Sequence, residues 1–158
     1  MSPRAERTVG WSLVGLQAVL LVALVVLPWR VSFGDVLASG AWLWIGLVLI
    51  VSGLIIAVTA MVTLGSALTA TPVPHAHAAL CTAGIYGHIR HPIYTGLLIA
   101  AAGFTVSVGT WWQLGVCIVL VVFFVAKSRW EDRMLARRHP GEWQAYALRT
   151  GAIIPRRG

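Results

Sequence analysis

Gly84 to Gly96 reads Gly-Ile-Tyr-Gly-His-Ile-Arg-His-Pro-Ile-Tyr-Thr-Gly, which gathers two phenols, two imidazoles and a guanidinium between long apolar runs. So many hydrogen-bonding groups at a membrane boundary are costly unless they bind something. Their chemistry suits a metal, an anion or a polar organic ligand. His75 and His77 alternate, and His88 and His91 are three apart, a spacing that places two rings on one helical face. Pro72, Pro74 and Pro92 interrupt regular structure around them, and no acidic residue lies close in sequence to complete a coordination shell. The expectation is therefore no metal, with polar loop residues or an organic-ligand site.

A second constellation runs Lys127-Ser-Arg-Trp-Glu-Asp-Arg-Met-Leu-Ala-Arg-Arg138. Read as a helix, it puts Trp130 and Met134 on one apolar stripe. Glu131 and Asp132 then project about 100° apart, so they cannot face the same partner and one carboxylate is free for another task. The alternative is that Lys127 with Glu131, and Arg129 with Asp132 or Arg133, form solvated surface pairs worth a few tenths of a kcal/mol each.

These groups must be held by membrane helices. The chain is 58% hydrophobic and 11% charged, with a mean hydropathy of +0.82. Four apolar runs approach or exceed the length that crosses about 30 Å of hydrocarbon. They are Trp11 to Leu27, Ala41 to Leu64, Ile93 to Val108 and Trp111 to Ala126. No small-x-small cleavage site precedes Pro28, so the first reads as a retained helix. Only Gly109-Thr110 separates the last two, which predicts a tight antiparallel hairpin. Each covers about 24 Å, so both are expected to continue on the side away from the turn. The fold expected is an all-α integral membrane protein of four transmembrane helices, as one domain: a two-helix lipid-facing scaffold over 1–65, then 66–158 carrying the chemistry.

Eleven of the twelve Lys and Arg fall before the first run, between the second and third, or after the fourth, leaving Arg30 alone on the other side. Basic residues favour the cytoplasm in short loops, which predicts cytoplasmic termini. The net charge of +7 then reads as topology and contact with anionic lipid headgroups, not as nucleic-acid binding. Cys117 lies inside the fourth run and Cys81 in the expected cytoplasmic segment, where a disulfide is disfavoured.

Several separated elements, in order, resemble the catalytic region of the isoprenylcysteine carboxyl methyltransferase family. They are Gly84-Ile85-Tyr86, then Arg90-His91-Pro92-Ile93-Tyr94-Thr95-Gly96, then Glu131-Asp132 with Leu135, then Gly141-Glu142-Trp143 through Tyr146 to Arg149-Thr150, then Ile154-Pro155. The likeness runs from about Leu80 to Pro155; the first half matches only in being hydrophobic. It implies S-adenosylmethionine as methyl donor, bound by a cytoplasmic loop and tail. By similarity to the family, the backbone around Ala78, Leu80 and Cys81 together with Tyr86 would line the cofactor cleft, His91 and Tyr94 would hydrogen-bond the cofactor, and Glu131 would accept from its polar groups. Pro92, which lacks an N–H, can open the third helix and aim exposed amides at an anionic group. No strand followed by a Gly-rich turn exists to build the dinucleotide-type site of soluble methyltransferases.

Methyl transfer to a carboxylate needs positioning and a cation to orient the acceptor, since the carboxylate is already ionised at neutral pH. The family uses an arginine shortly before the acidic pair; this chain carries Lys127 there, with Arg129 two residues on. Lysine is a point charge and cannot reproduce a bidentate fork. Arg90 is the third candidate cation, although bracing of the cytoplasmic loop suits it better than reaction. Two rivals stand beside this reading. A phospholipid N-methyltransferase would need a base for its ammonium nucleophile, which Tyr94 or Glu131 could provide. A non-catalytic small membrane protein would explain the spans but not the ordered motifs. In either enzyme the acceptor expected is lipophilic and enters sideways from the bilayer.

Overall fold

The computed structural model describes residues 3–26, 40–65 and 80–156. Arg30, His75, His77 and Ala78, each singled out in the sequence, lie outside them. The described chain forms five α-helices: α1 Pro3–Val26, α2 Gly40–Leu64, α3 Pro92–Val108, α4 Trp111–Arg138 and α5 Glu142–Arg149, with a 3₁₀ turn at Gly84–Gly87 before α3. No strand forms among the described residues. A single parallel bridge joins Ile89 to Gly151.

Three helices are long and apolar enough to cross a membrane: Arg4–Val26, Gly40–Leu64 and Trp111–Arg138. Their large apolar side chains point outward, including Val22 and Val26 of α1, Val48 and Val62 of α2, and Val122 of α4, as lipid-facing helices require. At 17 residues, α3 is shorter and spans about 26 Å.

One expected boundary moves and one expected extension is missing. Hydropathy marks α1 only from Trp11, but the polar turn before it is helical too, with the Thr8 hydroxyl donating to the Arg4 carbonyl at 3.1 Å. Beyond Ala126, α4 continues to Arg138 as expected, with Lys127 and Glu131 buried and Arg129 exposed. The matching extension of α3 does not exist. Pro92 occupies its first turn, and His91, with φ −123° and ψ 59°, leaves the helical region.

Between α3 and α4 the chain reverses on two residues. Gly109 adopts φ 64°, a left-handed conformation natural only to glycine, and its N–H caps Thr105 at 2.8 Å. Thr110 then caps α4, its hydroxyl accepting from the Gln113 N–H at 3.4 Å.

The tightest interface is between α2 and α3, where glycine faces glycine. A Cβ added to Gly53 would stand 2.5 Å from the Gly96 carbonyl oxygen, and one added to Gly103 would stand 2.6 Å from that of Gly46. Small residues let two apolar helices bring their backbones together where lipid offers no hydrophobic drive for association. The pairing 46 with 103 and 53 with 96 makes these helices antiparallel. On the other flank α1 runs antiparallel to α4: Glu6 meets Arg138 at 3.4 Å, Gln17 meets Lys127 at 2.6 Å, and the Leu24 carbonyl accepts from Gln113 at 3.4 Å. Leu24, Ala101, Leu120, Phe123 and Phe124 form the buried core where α1, α3 and α4 meet. The starts of α1 and α3 and the ends of α2 and α4 therefore share one end of the bundle. The polar residues collect there.

Candidate functional site

The first turn of α3 faces the last turns of α4 across a row of polar contacts. His91 is buried, and its ring reaches both carboxylates of the acidic pair: Nε2 lies 2.7 Å from Asp132 Oδ1, and Nδ1 lies 3.3 Å from Glu131 Oε2. The other oxygen of Glu131 accepts from the Tyr94 hydroxyl at 2.5 Å, and the other oxygen of Asp132 accepts from Arg90 at 3.1 Å. Tyr94, Glu131, His91, Asp132 and Arg90 thus form one continuous chain of hydrogen bonds.

This corrects the expectation that the two carboxylates cannot share a partner. An imidazole carries nitrogens on two edges of a rigid ring, so one ring lying across the helix face spans side chains that diverge around it. Neither acidic residue forms the surface pair within α4 that the sequence allowed. Among the described residues their ion pairs run to His91 and Arg90, outside that helix.

The chain after α4 folds back to lock this end. Gly141 precedes α5, whose buried Trp143 and Tyr146 face inward. The Arg90 and His91 N–H groups donate to the carbonyls of Gly151 at 2.8 Å and Ala152 at 3.0 Å, and the Thr95 hydroxyl donates to Ile153 at 2.6 Å. The Tyr146 hydroxyl donates to the Tyr86 carbonyl at 2.7 Å. The Arg90 guanidinium binds the carbonyls of Thr150 at 2.5 Å and Ala147 at 3.2 Å and lies over the Trp143 ring, 5.5 Å from its centroid. Tail carbonyls therefore dock onto the two residues before α3 and the Thr95 hydroxyl, while the Tyr94 and Thr95 N–H groups, which the sequence suggested would be exposed, donate to the His91 carbonyl at 3.1 Å.

Burial and charge set the protonation states. Burial pulls the His91 pKa down, but hydrogen bonds and charge from Asp132 and Glu131 outweigh it, so the net shift is upward and the ring favours its cationic form. Burial first, then the neighbouring Cys81, Tyr146 and Glu131, drives the Tyr86 phenol upward. Tyr146 is pushed up to about 12 by burial, partly opposed by Arg90. Both phenols stay protonated as donors.

Of the residues the sequence singled out, the structure brings Arg90, His91, Tyr94 and Glu131 into direct contact. Lys127 lies beside them, its ammonium 4.8 Å from the Tyr94 ring centroid. Tyr86 is near enough to feel the Glu131 charge, and Leu80 and Cys81 are half-buried in the segment leading to it. Arg129 is exposed on α4 and does not join the cluster. Sequence reasoning missed Asp132 as a partner of both His91 and Arg90, Tyr146 as a clasp, and Gln17 as the partner of Lys127. A lone amide in an apolar span is a usable signal for the last, because it must find a partner on another helix.

The family model for phospholipid methyltransferases matches residues 41–141. That stretch holds α2, α3, α4 and the whole hydrogen-bonded row. The chain belongs to the phospholipid methyltransferase family. It is also 30% identical over 115 residues to the probable protein-S-isoprenylcysteine O-methyltransferases of Oryza sativa subsp. indica and Oryza sativa subsp. japonica, a match covering 71% of this chain. The match spans 60% of the length of each of these relatives. The family match and the three long apolar helices agree in pointing to a membrane protein.

Proposed function

We propose that this chain uses S-adenosylmethionine to methylate a lipophilic acceptor at the membrane interface, with an isoprenylcysteine carboxylate as the first acceptor class. The observation that carries the reading is the Tyr94–Glu131–His91–Asp132–Arg90 row, whose residues all lie within the stretch 41–141 that the family model matches. The residues suit a cofactor with a sulfonium, an ammonium and a carboxylate. The Glu131 carboxylate is buried at the start of a row of rings, His91 on Tyr94 at 5.5 Å between centroids and Tyr94 on Phe124 at 4.8 Å. Anionic oxygens and ring faces both attract cations. The Arg90 Nε–H is buried with no hydrogen-bond partner among the described residues, a donor fit for a carboxylate.

In this reading Tyr86, His91, Tyr94 and Glu131 hold the cofactor with the backbone around Ala78, Leu80 and Cys81, and the bound cofactor supplies the activated methyl group. Arg90 holds the tail against the site. Lys127 orients an anionic acceptor, and Arg129, exposed beyond it, meets anionic headgroups. A carboxylate acceptor asks for no base, so the protein's work is positioning and exclusion of water. Here α3 is the fourth span, in a hairpin with α4, both termini are cytoplasmic, and residues 1–158 act as a single membrane domain. Reporter fusions after Gly109 should read the outer side, and an inner signal there would break this arrangement.

A second reading, N-methylation of a phospholipid amine, is favoured by the description of the matched family and by the Tyr94–Glu131 pair, which could take a proton from an ammonium. Purified protein in lipid nanodiscs should bind S-adenosylmethionine and its demethylated product. A radiolabelled-methyl assay against prenylated thiols with free carboxylates and against aminophospholipids separates the two readings. Transfer to carboxylates without a basic pH optimum supports the first, and transfer only to amines, rising with pH, supports the second. Absence of cofactor binding would overturn both.

A further inference from the structure

Lys127 is the only lysine in the chain, and it lies 4% exposed within a helix long and apolar enough to cross a membrane. An ammonium in such a place is expensive and marks a functional position by default. The groups in contact with it are neutral and leave its charge uncancelled. The Nζ donates to Gln17 Oε1 of α1 at 2.6 Å and lies over the rings of Tyr94 and Phe123, 4.8 and 5.9 Å from their centroids. An amide oxygen and aromatic faces accept an ammonium while leaving its net charge in place. The nearest carboxylate, Glu131 one turn on, already serves Tyr94 and His91.

A plain fastening of α1 to α4 explains this arrangement poorly. Glu6 with Arg138 ties the helices at one end, and Gln113 with the Leu24 carbonyl ties them eighteen residues away along α1. Between those ties an apolar pair would hold the helices without desolvating a charge. An ammonium kept there, with a neutral partner from another helix, suits a role in binding an anion.

We infer that Gln17 is a positioning residue that holds the Lys127 ammonium, its charge uncancelled, toward an anionic group on the acceptor, so that α1 forms one wall of the acceptor site. This deepens the proposed methyl transfer and rests on it. Lysine offers three N–H donors, and Gln17 uses one. Tyr94 links the two halves of the site, its hydroxyl on Glu131 and its ring under the Lys127 ammonium.

The test compares S-farnesylthioacetate with its methyl ester, a pair that differs in charge but not in the prenyl chain, for binding to the full chain in nanodiscs. The wild-type chain should prefer the carboxylate about tenfold or more, the effect of one charge-assisted contact. Gln17→Leu should lower that preference about fivefold to tenfold while leaving the ester and S-adenosylmethionine affinities unchanged. Gln17→Glu, which keeps a partner for Nζ but neutralises it, should lower the preference as well. In a Lys127→Ala background, Gln17→Leu should add nothing further. Absence of a carboxylate preference in the wild-type chain overturns the inference, as do additive effects of the two substitutions or loss of thermal stability with the preference intact. Failure of S-adenosylmethionine to bind would instead sink the underlying function, and is read separately.

Discussion

His91 Nε2 lies 2.7 Å from Oδ1 of Asp132, so the residue that opens α3 is bound to the last turns of α4. The ring is buried with Glu131 on its other edge, Tyr94 stacked on its face, and Arg90 behind Asp132. Its pKa in the folded protein is raised above the ordinary 6.5. A raised value means the folded state binds the proton more tightly, so this contribution to stability is complete below about pH 6.5 and lost as pH rises through the folded value. The melting temperature in nanodiscs should therefore fall as pH rises from about 6.5 into the alkaline range. His91→Gln should flatten that slope; a slope that persists unchanged would mean another group governs it. His91→Ala should destabilise by about 3 kcal/mol, because it strips the carboxylates of a buried partner.

The acidic pair should separate by readout. Glu131→Gln removes an acceptor from Tyr94 and His91 at the expected cofactor seat, and should weaken S-adenosylmethionine binding roughly 10-fold to 150-fold, the loss of a charge-assisted bond of about 1.5–3 kcal/mol. Asp132→Asn loosens Arg90 and His91, so its main effect should be on stability, with a smaller change in cofactor affinity. Calorimetric titration beside thermal melting tells them apart. Equal, small effects on both measurements would return the pair to the status of surface charges.

What the sequence revealed and what it hid follow from how far each signal reaches. Runs of apolar residues mark α1, α2 and α4 because hydrophobicity is local, and the Gly109-Thr110 break marks the reversal between α3 and α4 for the same reason. Helical spacing placed Glu131 and Asp132 correctly around α4 but said nothing of a ring arriving from α3 to bridge them. The docking of Gly151, Ala152 and Ile153 onto residues 90–95 joins groups some sixty positions apart and leaves no periodicity to read. Gln17 stayed hidden in α1 because its partner is 110 positions away on α4.

Arg90 should prove irreplaceable by lysine. Its guanidinium spans Asp132, two tail carbonyls and the Trp143 face at once, a planar fork that an ammonium cannot match. Arg90→Lys should destabilise the docked tail by about 2 kcal/mol, the order of one charge-assisted hydrogen bond. Amide hydrogen exchange gives the readout. The N–H groups of His91 and Gly151, which bond to Ala152 and His88, should lose protection while those inside α2 do not. Unchanged protection at both would mean that Tyr146 and the backbone contacts suffice to hold the tail.

Glycine by glycine, the α2–α3 interface should be intolerant where α1 and α4 are permissive. A Cβ on Gly96 would stand 2.5 Å from the Gly53 carbonyl oxygen and 2.7 Å from the Ala57 nitrogen, backbone atoms that cannot swing aside. Gly96→Ala must push the helices apart, and overpacking of this kind costs about 1–3 kcal/mol. Gly15 in α1 and Gly115 in α4 would meet nothing within 4 Å, so alanine there should be neutral or stabilising by about 0.5–1 kcal/mol through helix propensity. Displacing α3 from α2 also moves His91 and Tyr94 against α4. Gly96→Ala should therefore weaken S-adenosylmethionine binding in step with stability, whereas Gly15→Ala and Gly115→Ala leave both intact. Thermal melting and cofactor titration on the three variants check this, and a Gly96→Ala protein as stable as the parent would show that the two backbones do not approach this closely.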